Sequence, residues 1–388
     1  MANCKLISAD SHVNEPADLW TERIDRKFRD RAPRIVDNIP GRPPGSYLVL
    51  ENIPPVHVSQ GLGAGKTAEE LPQFFQASTY RDARRGGWDP AERLKDMELD
   101  GVEAELLYTT LGFRQFWLKD AELQRACFRV YNGWLADYCA YAPQRLSGMA
   151  LISLYDIGEA VRELHLCCQR GLKGAMIWAS PPEEHPYADK MYDRFWAEAQ
   201  ELGMPLSLHA VTGMGRESQA LRVMGREVKP VDRYIQSVTL GDEVKRSLTE
   251  LVFSGVLERF PRLKIVSAEN EVSWLPFVIQ RWDQTYQHYR HLYPSPLKMK
   301  PSEYFRRQIY ATFIDDAFGV QNRHQVGVEH IMWSSDYPHT QSTWPHSQEI
   351  IARDFVDVPE EEKRKIVREN VMQLYDLELP DNPAGAGW

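Results

Sequence analysis

The chain has 388 residues, 43% hydrophobic and 26% charged, which is ample for a large core. Its net charge of -9 arises from interspersed acids and bases with no basic block, which argues against a nucleic-acid partner. The longest apolar runs are strand-length and the N-terminus carries no leader pattern, so neither a membrane span nor secretion is expected. Five cysteines, odd in number and without a CxxC pair, suit a reducing, cytoplasmic setting.

Strand and helix signals alternate along the chain. The first predicted strand is Lys5 to Ala9. Residues 33–90 are rich in Pro and Gly, include Gly61-Leu-Gly-Ala-Gly65 and show no clear period, as expected of an active-site lid or an oligomer contact. A helix over Pro90 to Leu99 leads to a strand at Ala104 to Tyr108, and an amphipathic segment from Asp120 to Tyr141 leads to Gly148 to Ile152. A helix over Gly158 to Arg170 precedes Gly174 to Trp178, and one over Ala188 to Leu202, stopped by Gly203, precedes Leu206 to His209. Residues 211–242 form a loop excursion expected to overhang the site. A helix from Glu243 to Glu258 precedes Leu263 to Ala268; the last strands are Ile309 to Thr312 and Ile331 to Ser334, and residues 380–388 form a tail. Eight strands with helices between them predict an α/β fold: a distorted (β/α)8 TIM barrel, one domain over 1–388, with a long insertion after the first strand.

Four of these strands run into good metal donors: Asp10 and His12, His209, Glu269, and Asp336. Acids and imidazoles at the C-terminal ends of parallel strands gather at one barrel mouth. Asp10 and His12 are two apart, so an extended strand turns both to the same side. Asp10, His12, His209, Asp336, Glu269 and Glu15 are the candidate metal ligands, and Asp336, Glu269 and His339 the candidate proton-moving residues. Of the pair Glu269 and Glu271, the first is read as facing the mouth and the second as anchoring a loop. Arg216, Trp178 and Tyr337 are candidate substrate contacts. No GxSxG elbow, P-loop or HExxH occurs, which leaves serine hydrolase, nucleotide-binding and zincin chemistry without a foothold.

With these residues in place, the chain resembles the amidohydrolase-related family, in the branch that contains aminocarboxymuconate semialdehyde decarboxylase. The matching segments are Asp10-Ser-His-Val-Asn-Glu-Pro16, Leu206-Ser-Leu-His209, Gly255-Val-Leu-Glu-Arg-Phe-Pro-Arg-Leu-Lys-Ile265 running to Glu269 and Trp274-Leu-Pro276, and Trp333-Ser-Ser-Asp-Tyr-Pro-His339, with Gly148 to Ile152 and Gly171-Leu-Lys-Gly174 also fitting. The resemblance implies a divalent ion, zinc, manganese or iron, one per chain or two. It also implies a small-molecule substrate and a homodimer or homotetramer. It places Asp10 and His12 on the first strand of the metal site, His209 on the fifth and Asp336 on the eighth. Two positions depart from it: the first-strand pair is Asp-x-His, and Glu269 stands where the decarboxylases carry a catalytic histidine.

That second departure removes an imidazole acid and favours hydrolysis of a small carboxylated or cyclic substrate by metal-activated water. Nonoxidative decarboxylation of an aromatic or muconate-type acid is the alternative, and a dinuclear iron or manganese oxygenase a second alternative. A catalytically silent barrel serving as a partner subunit is the non-enzyme reading, and the retained acid and imidazole set opposes it.

Overall fold

Short runs of buried Val, Ile, Leu, Met and Ala, too short for a buried helix and flanked by turn residues, assemble into a ring of parallel strands. The computed structural model describes residues 5–214 and 230–379. The strands, in chain order, are β1 (Leu6–His12), β2 (Arg34–Asp37), β3 (Ser46–Leu50), β4 (Ile53–His57), β5 (Val102–Tyr108), β6 (Leu146–Leu151), β7 (Gly174–Ile177), β8 (Leu206–His209), β9 (Ile265–Ala268), β10 (Ile309–Phe313) and β11 (Ile331–Trp333). Eight of them pair in the order β1-β5-β6-β7-β8-β9-β10-β11, all parallel. Beyond β11 the chain meets β1: Asp336 N donates to Asp10 O at 3.0 Å and His12 N to Tyr337 O at 2.6 Å. The result is a nearly closed (β/α)8 barrel ringed by helices. Among the described residues no helix is long and apolar enough to cross a membrane.

Several elements depart from the sequence expectations; residues 211–242, expected as a loop, hold a helix over Pro230–Val238, and the helix expected from Ala188 begins at Asp193. β1 runs on to His12, so Asp10 and His12 lie on the strand itself. The helix expected from Glu243 to Glu258 is two helices, Asp242–Phe253 and Val256–Arg259, parted at Gly255, whose φ of 77° only glycine adopts cheaply. The 33–90 insertion, expected to be irregular, holds a three-stranded antiparallel sheet in the order β2-β3-β4. Pro54 and Pro55 lie in β4, and β4 is an edge strand, where a missing N–H costs no ladder bond.

The helix Pro90–Asp100 shows how local signals fix an element. Asp89 caps it by accepting from Ala91 N and Glu92 N, proline occupies the first turn, and Gly101 closes it at φ 73°. Its last residue, Asp100, is buried and accepts from Ser347 N at 2.9 Å and from the Ser347 hydroxyl. Burial pushes the Asp100 carboxyl from 3.8 up to about 6. The native state therefore holds a proton that the unfolded chain has lost, and stability falls as pH rises from about 4 to 6, by roughly 2–3 kcal/mol. Asp100→Asn, whose amide can serve the same serine, should flatten that slope in denaturation midpoints measured at pH 4.5 and 7.5. An unchanged slope would assign it to other groups.

Candidate metal centre

Register places the donors at one level. His209, the last residue of β8, is opposite Ala268 of β9, and Glu269 follows at once. Glu269 and Asp336 both turn off their strands in the left-handed region, each at φ 55°. A glutamate pays about 1–3 kcal/mol for that backbone, and such outliers concentrate where a side chain must be aimed. His12 Nε2 lies 3.3 Å from Asp10 Oδ1 and 3.1 Å from Asp336 Oδ1. His209 Nε2 lies 3.4 Å from Asp10 Oδ1 and 3.5 Å from Glu269 Oε2. His339 Nδ1 is 2.9 Å from Asp336 Oδ1, and its ring stacks on His12 at 3.9 Å.

The hydrogen bonds on the far side of each ring decide which nitrogen points inward. His12 Nδ1 donates to the Thr109 carbonyl at 2.7 Å and His209 Nδ1 to the Ala210 carbonyl at 3.1 Å, so in the neutral rings each Nε2 carries a lone pair. Asp10 Oδ1, His12 Nε2, His209 Nε2 and Asp336 Oδ1 are all buried and, among the described residues, without a hydrogen-bond donor. Four buried acceptors aimed at one another repel unless a cation lies between them. Among the described residues, two overlapping trios have donor atoms all within 4.8 Å, namely Asp10, His12 and His209, and His12, Asp336 and His339. The residues fit a divalent ion.

Electrostatics agree. Burial opposes charge on His12, but its contacts with Asp10 and Asp336 outweigh that and raise it well above the usual imidazole range. Without a metal, a proton is the cation the cluster would take, and a metal must displace it. Asp10, despite burial, is held below the ordinary carboxylate range by His209 and His12. Asp336, despite burial, is held well below that range, first by His339 and then by His12. His339 is lowered by burial and then by His12. Glu269 moves the other way: burial, reinforced by Asp336, pushes it up to about 8. Its side chain is 19% exposed against 1% for Asp10 and 2% for Asp336, so among the described acids of the cluster it is the most accessible, and in the metal-free cluster it keeps its proton near neutral pH.

A polar frame holds the centre. Thr312 Oγ1 lies 3.4 Å from Asp10 Oδ2 and accepts from Glu269 N at 3.0 Å. Arg93, fully buried, donates to Glu105 at 2.6 Å and to the His12 carbonyl at 2.7 Å, and lies over the Tyr337 ring. Glu15, a candidate ligand from the sequence, is placed outside both trios. Its carboxylate accepts from the Thr109 hydroxyl, from Leu111 N at 2.9 Å and from Gly112 N at 3.2 Å, tying down the loop that holds His12. Glu15→Ala should lower stability by about 2–4 kcal/mol, because three donors lose their acceptor, while metal content stays near wild type. Loss of metal with an unchanged melting temperature would make Glu15 a ligand instead.

The structure brings Asp10, His12, His209, Glu269, Asp336 and His339 together. Glu271 accepts from Ile314 N at 3.2 Å and so anchors a loop. Trp178 and Tyr337 are buried with their polar atoms engaged, the indole donating to the Phe116 carbonyl and the phenol to Asp96. Arg216 lies outside the described residues. The sequence reading passed over the loop after β5: Thr109 orients His12, Thr110 is 3.0 Å from His339 Nε2, and Phe113 packs on His209 at 4.6 Å. Its signal was position alone, directly after a barrel strand.

Fold and donor set define a barrel enzyme built to hold a metal ion. A family model described as Amidohydrolase matches residues 9–377, and the chain belongs to that family. A gamma-resorcylate decarboxylase of Rhizobium radiobacter is 24% identical over 299 residues, 74% of this chain and 86% of the relative. An amidohydrolase structure from Mycobacterium avium subsp. paratuberculosis K-10 superposes with a TM-score of 0.76 at 21% identity, covering 97% of this chain and all of that one. A dihydroxybenzoic acid decarboxylase from Polaromonas sp. JS666, solved with manganese and 2-nitroresorcinol, gives 0.64 at 19% identity, covering 98% of this chain and all of the other. The expectation of hydrolysis is thereby corrected. The relatives with named reactions are decarboxylases, and loss of the imidazole at position 269 was too narrow a ground to set that branch aside.

Proposed function

We propose that the protein is a metal-dependent, nonoxidative decarboxylase of a small aromatic or muconate-type acid. The observation that carries this reading is the position of Glu269: a carboxyl beside His209, the most exposed acid of a cluster suited to a cation, stands where it can supply the acid that the missing histidine would have given. The kinship with gamma-resorcylate decarboxylase supports the same reaction class. Asp10, His12, His209 and Asp336 would hold the ion, which when bound supplies positive charge to anchor the substrate carboxylate. Glu269 then gives its proton to the carbon that bears the carboxylate. The carbon–carbon bond breaks, its electron pair returns to the unsaturated system, carbon dioxide leaves, and solvent reprotonates Glu269. Asp336, fixed by His339, holds its charge through the cycle.

The test is manganese-loaded protein with a panel of hydroxybenzoates in deuterated water, following carbon dioxide release and deuterium at the vacated carbon. Release with label supports the reading, and silence across the panel with full metal content would falsify it. The two trios share His12 Nε2, whose one lone pair serves a single ion, so they describe one centre. Nearly two irons per chain, with oxygen consumption, would overturn the one-ion reading.

A further inference from the structure

We propose that the glycine-rich run 61–65 is a positioning strap for the metal centre, acting through Gly61 on Thr110 and through Thr110 on His339. The inference rests on the metal centre and not on the reaction assigned to it.

Among the described residues three imidazoles face the centre, and each is held from behind. His12 and His209 are held by main-chain carbonyls, those of Thr109 and Ala210. His339 is held by a side chain: its Nε2 lies 3.0 Å from the Thr110 hydroxyl, with Nδ1 turned to within 2.9 Å of Asp336 Oδ1. A threonine hydroxyl can donate or accept, so it serves either tautomer of the ring. No substitution removes a carbonyl. A hydroxyl can be removed, and its direction depends on a single torsion. Thr110 is therefore the adjustable point of the centre.

The insertion sets that torsion. A Cβ on Gly61 would stand 2.5 Å from Thr110 Cγ2 and 3.8 Å from His339 Cδ2. Cγ2 and the hydroxyl branch from one carbon, so pushing the methyl away rotates the hydroxyl off Nε2. Gly61 lies outside the left-handed region, so alanine there adds a methyl without backbone strain.

The rest of the run follows the loop that carries His339. Ala64 N donates to the Pro338 carbonyl at 3.2 Å. A Cβ on Gly63 would stand 2.5 Å from Thr340 Oγ1, and one on Gly65 2.7 Å from Trp344 Cζ3. Ala64, Tyr337 and Trp344 bury one another in a small apolar cluster of their own. Glycine at 61, 63 and 65 thus lets the backbone lie on this loop where a side chain would hold it off.

Manganese affinity by chelator competition, with a thermal melt beside it, tests this on the full chain. Thr110→Val keeps the shape and removes the hydroxyl, and should weaken manganese about tenfold, as loss of an outer partner of a metal centre does. Thr110→Ser keeps the hydroxyl and should bind as wild type does. Gly61→Ala should weaken manganese to a similar degree. Combining it with Thr110→Ser should restore wild-type affinity, because serine lacks the methyl that the alanine strikes. Wild-type affinity in Thr110→Val would overturn the proposal. So would a Gly61→Ala defect that serine does not relieve, or one confined to the melting temperature, which would make the run packing alone. If Gly61→Ala does not fold, the double variant decides: it folds and binds, or the strap does not act through Thr110. The expected pattern without carbon dioxide release would leave the strap standing and remove the decarboxylase reading. Wild type that takes up no manganese would remove both.

Discussion

Replacing His209 with alanine should cut metal content to roughly a tenth of wild type or less and abolish turnover, while the melting temperature moves by only a few degrees. His209 Nε2 faces Asp10 and Glu269 from a ring whose other nitrogen is tied to the Ala210 carbonyl, and its removal leaves the trio of Asp10, His12 and His209 with two donors. The barrel should tolerate the change because the lost side chain is an unpaired acceptor, whose burial favours the fold little. Elemental analysis of protein purified without added metal, beside a thermal melt, reads both quantities. Full metal content in the variant would remove His209 from the ligand set.

Glu269→Gln should lower kcat by about 100- to 10,000-fold, with KM and metal content close to wild type. The amide keeps the size of the protonated carboxyl but has no proton to give. The pH profile carries the sharper signature. Activity that needs the protonated carboxyl falls as pH rises through its pKa, which burial and Asp336 place at about 8. A divalent ion would cancel the Asp336 share, leaving burial as the cause, so the falling limb belongs at or below that value. The glutamine variant should lack that limb. If metal stoichiometry drops instead, Glu269 is a ligand and the proton must come from elsewhere.

The barrel was legible because each strand is a short apolar run that ends at a chemically distinctive residue, and period-two spacing was enough to put Asp10 and His12 on one face. Two kinds of information were not. The sheet in the insertion is carried by Ile53-Pro-Pro-Val-His57, a segment whose prolines deny a strand until its edge position is known. Thr109 escapes the sequence because nothing in a single polar residue reports whether its backbone carbonyl will meet a distant ring. Glu15 shows the converse: a carboxylate three residues from His12 reads as a ligand, and only the three donors around it reveal a loop anchor. Glu269 was read as facing the mouth, but its proton depends on burial by distant parts of the chain.

The seam between β1 and the segment after β11 has a consequence for biosynthesis. β1 has its second neighbour only in residues made more than 300 positions later, since Asp10 O waits for Asp336 N and His12 N for Tyr337 O. During vectorial synthesis the leading strand therefore carries an open edge, and half of the acceptor cluster, until the ring can shut. The candidate ligands Asp10 and Asp336 lie on opposite sides of that seam, so the full donor set exists only once the ring has shut. A chain released before Asp336 should therefore present β1 as an open edge and be cut by protease near residues 6–12, whereas the full-length chain, with or without metal, should resist there.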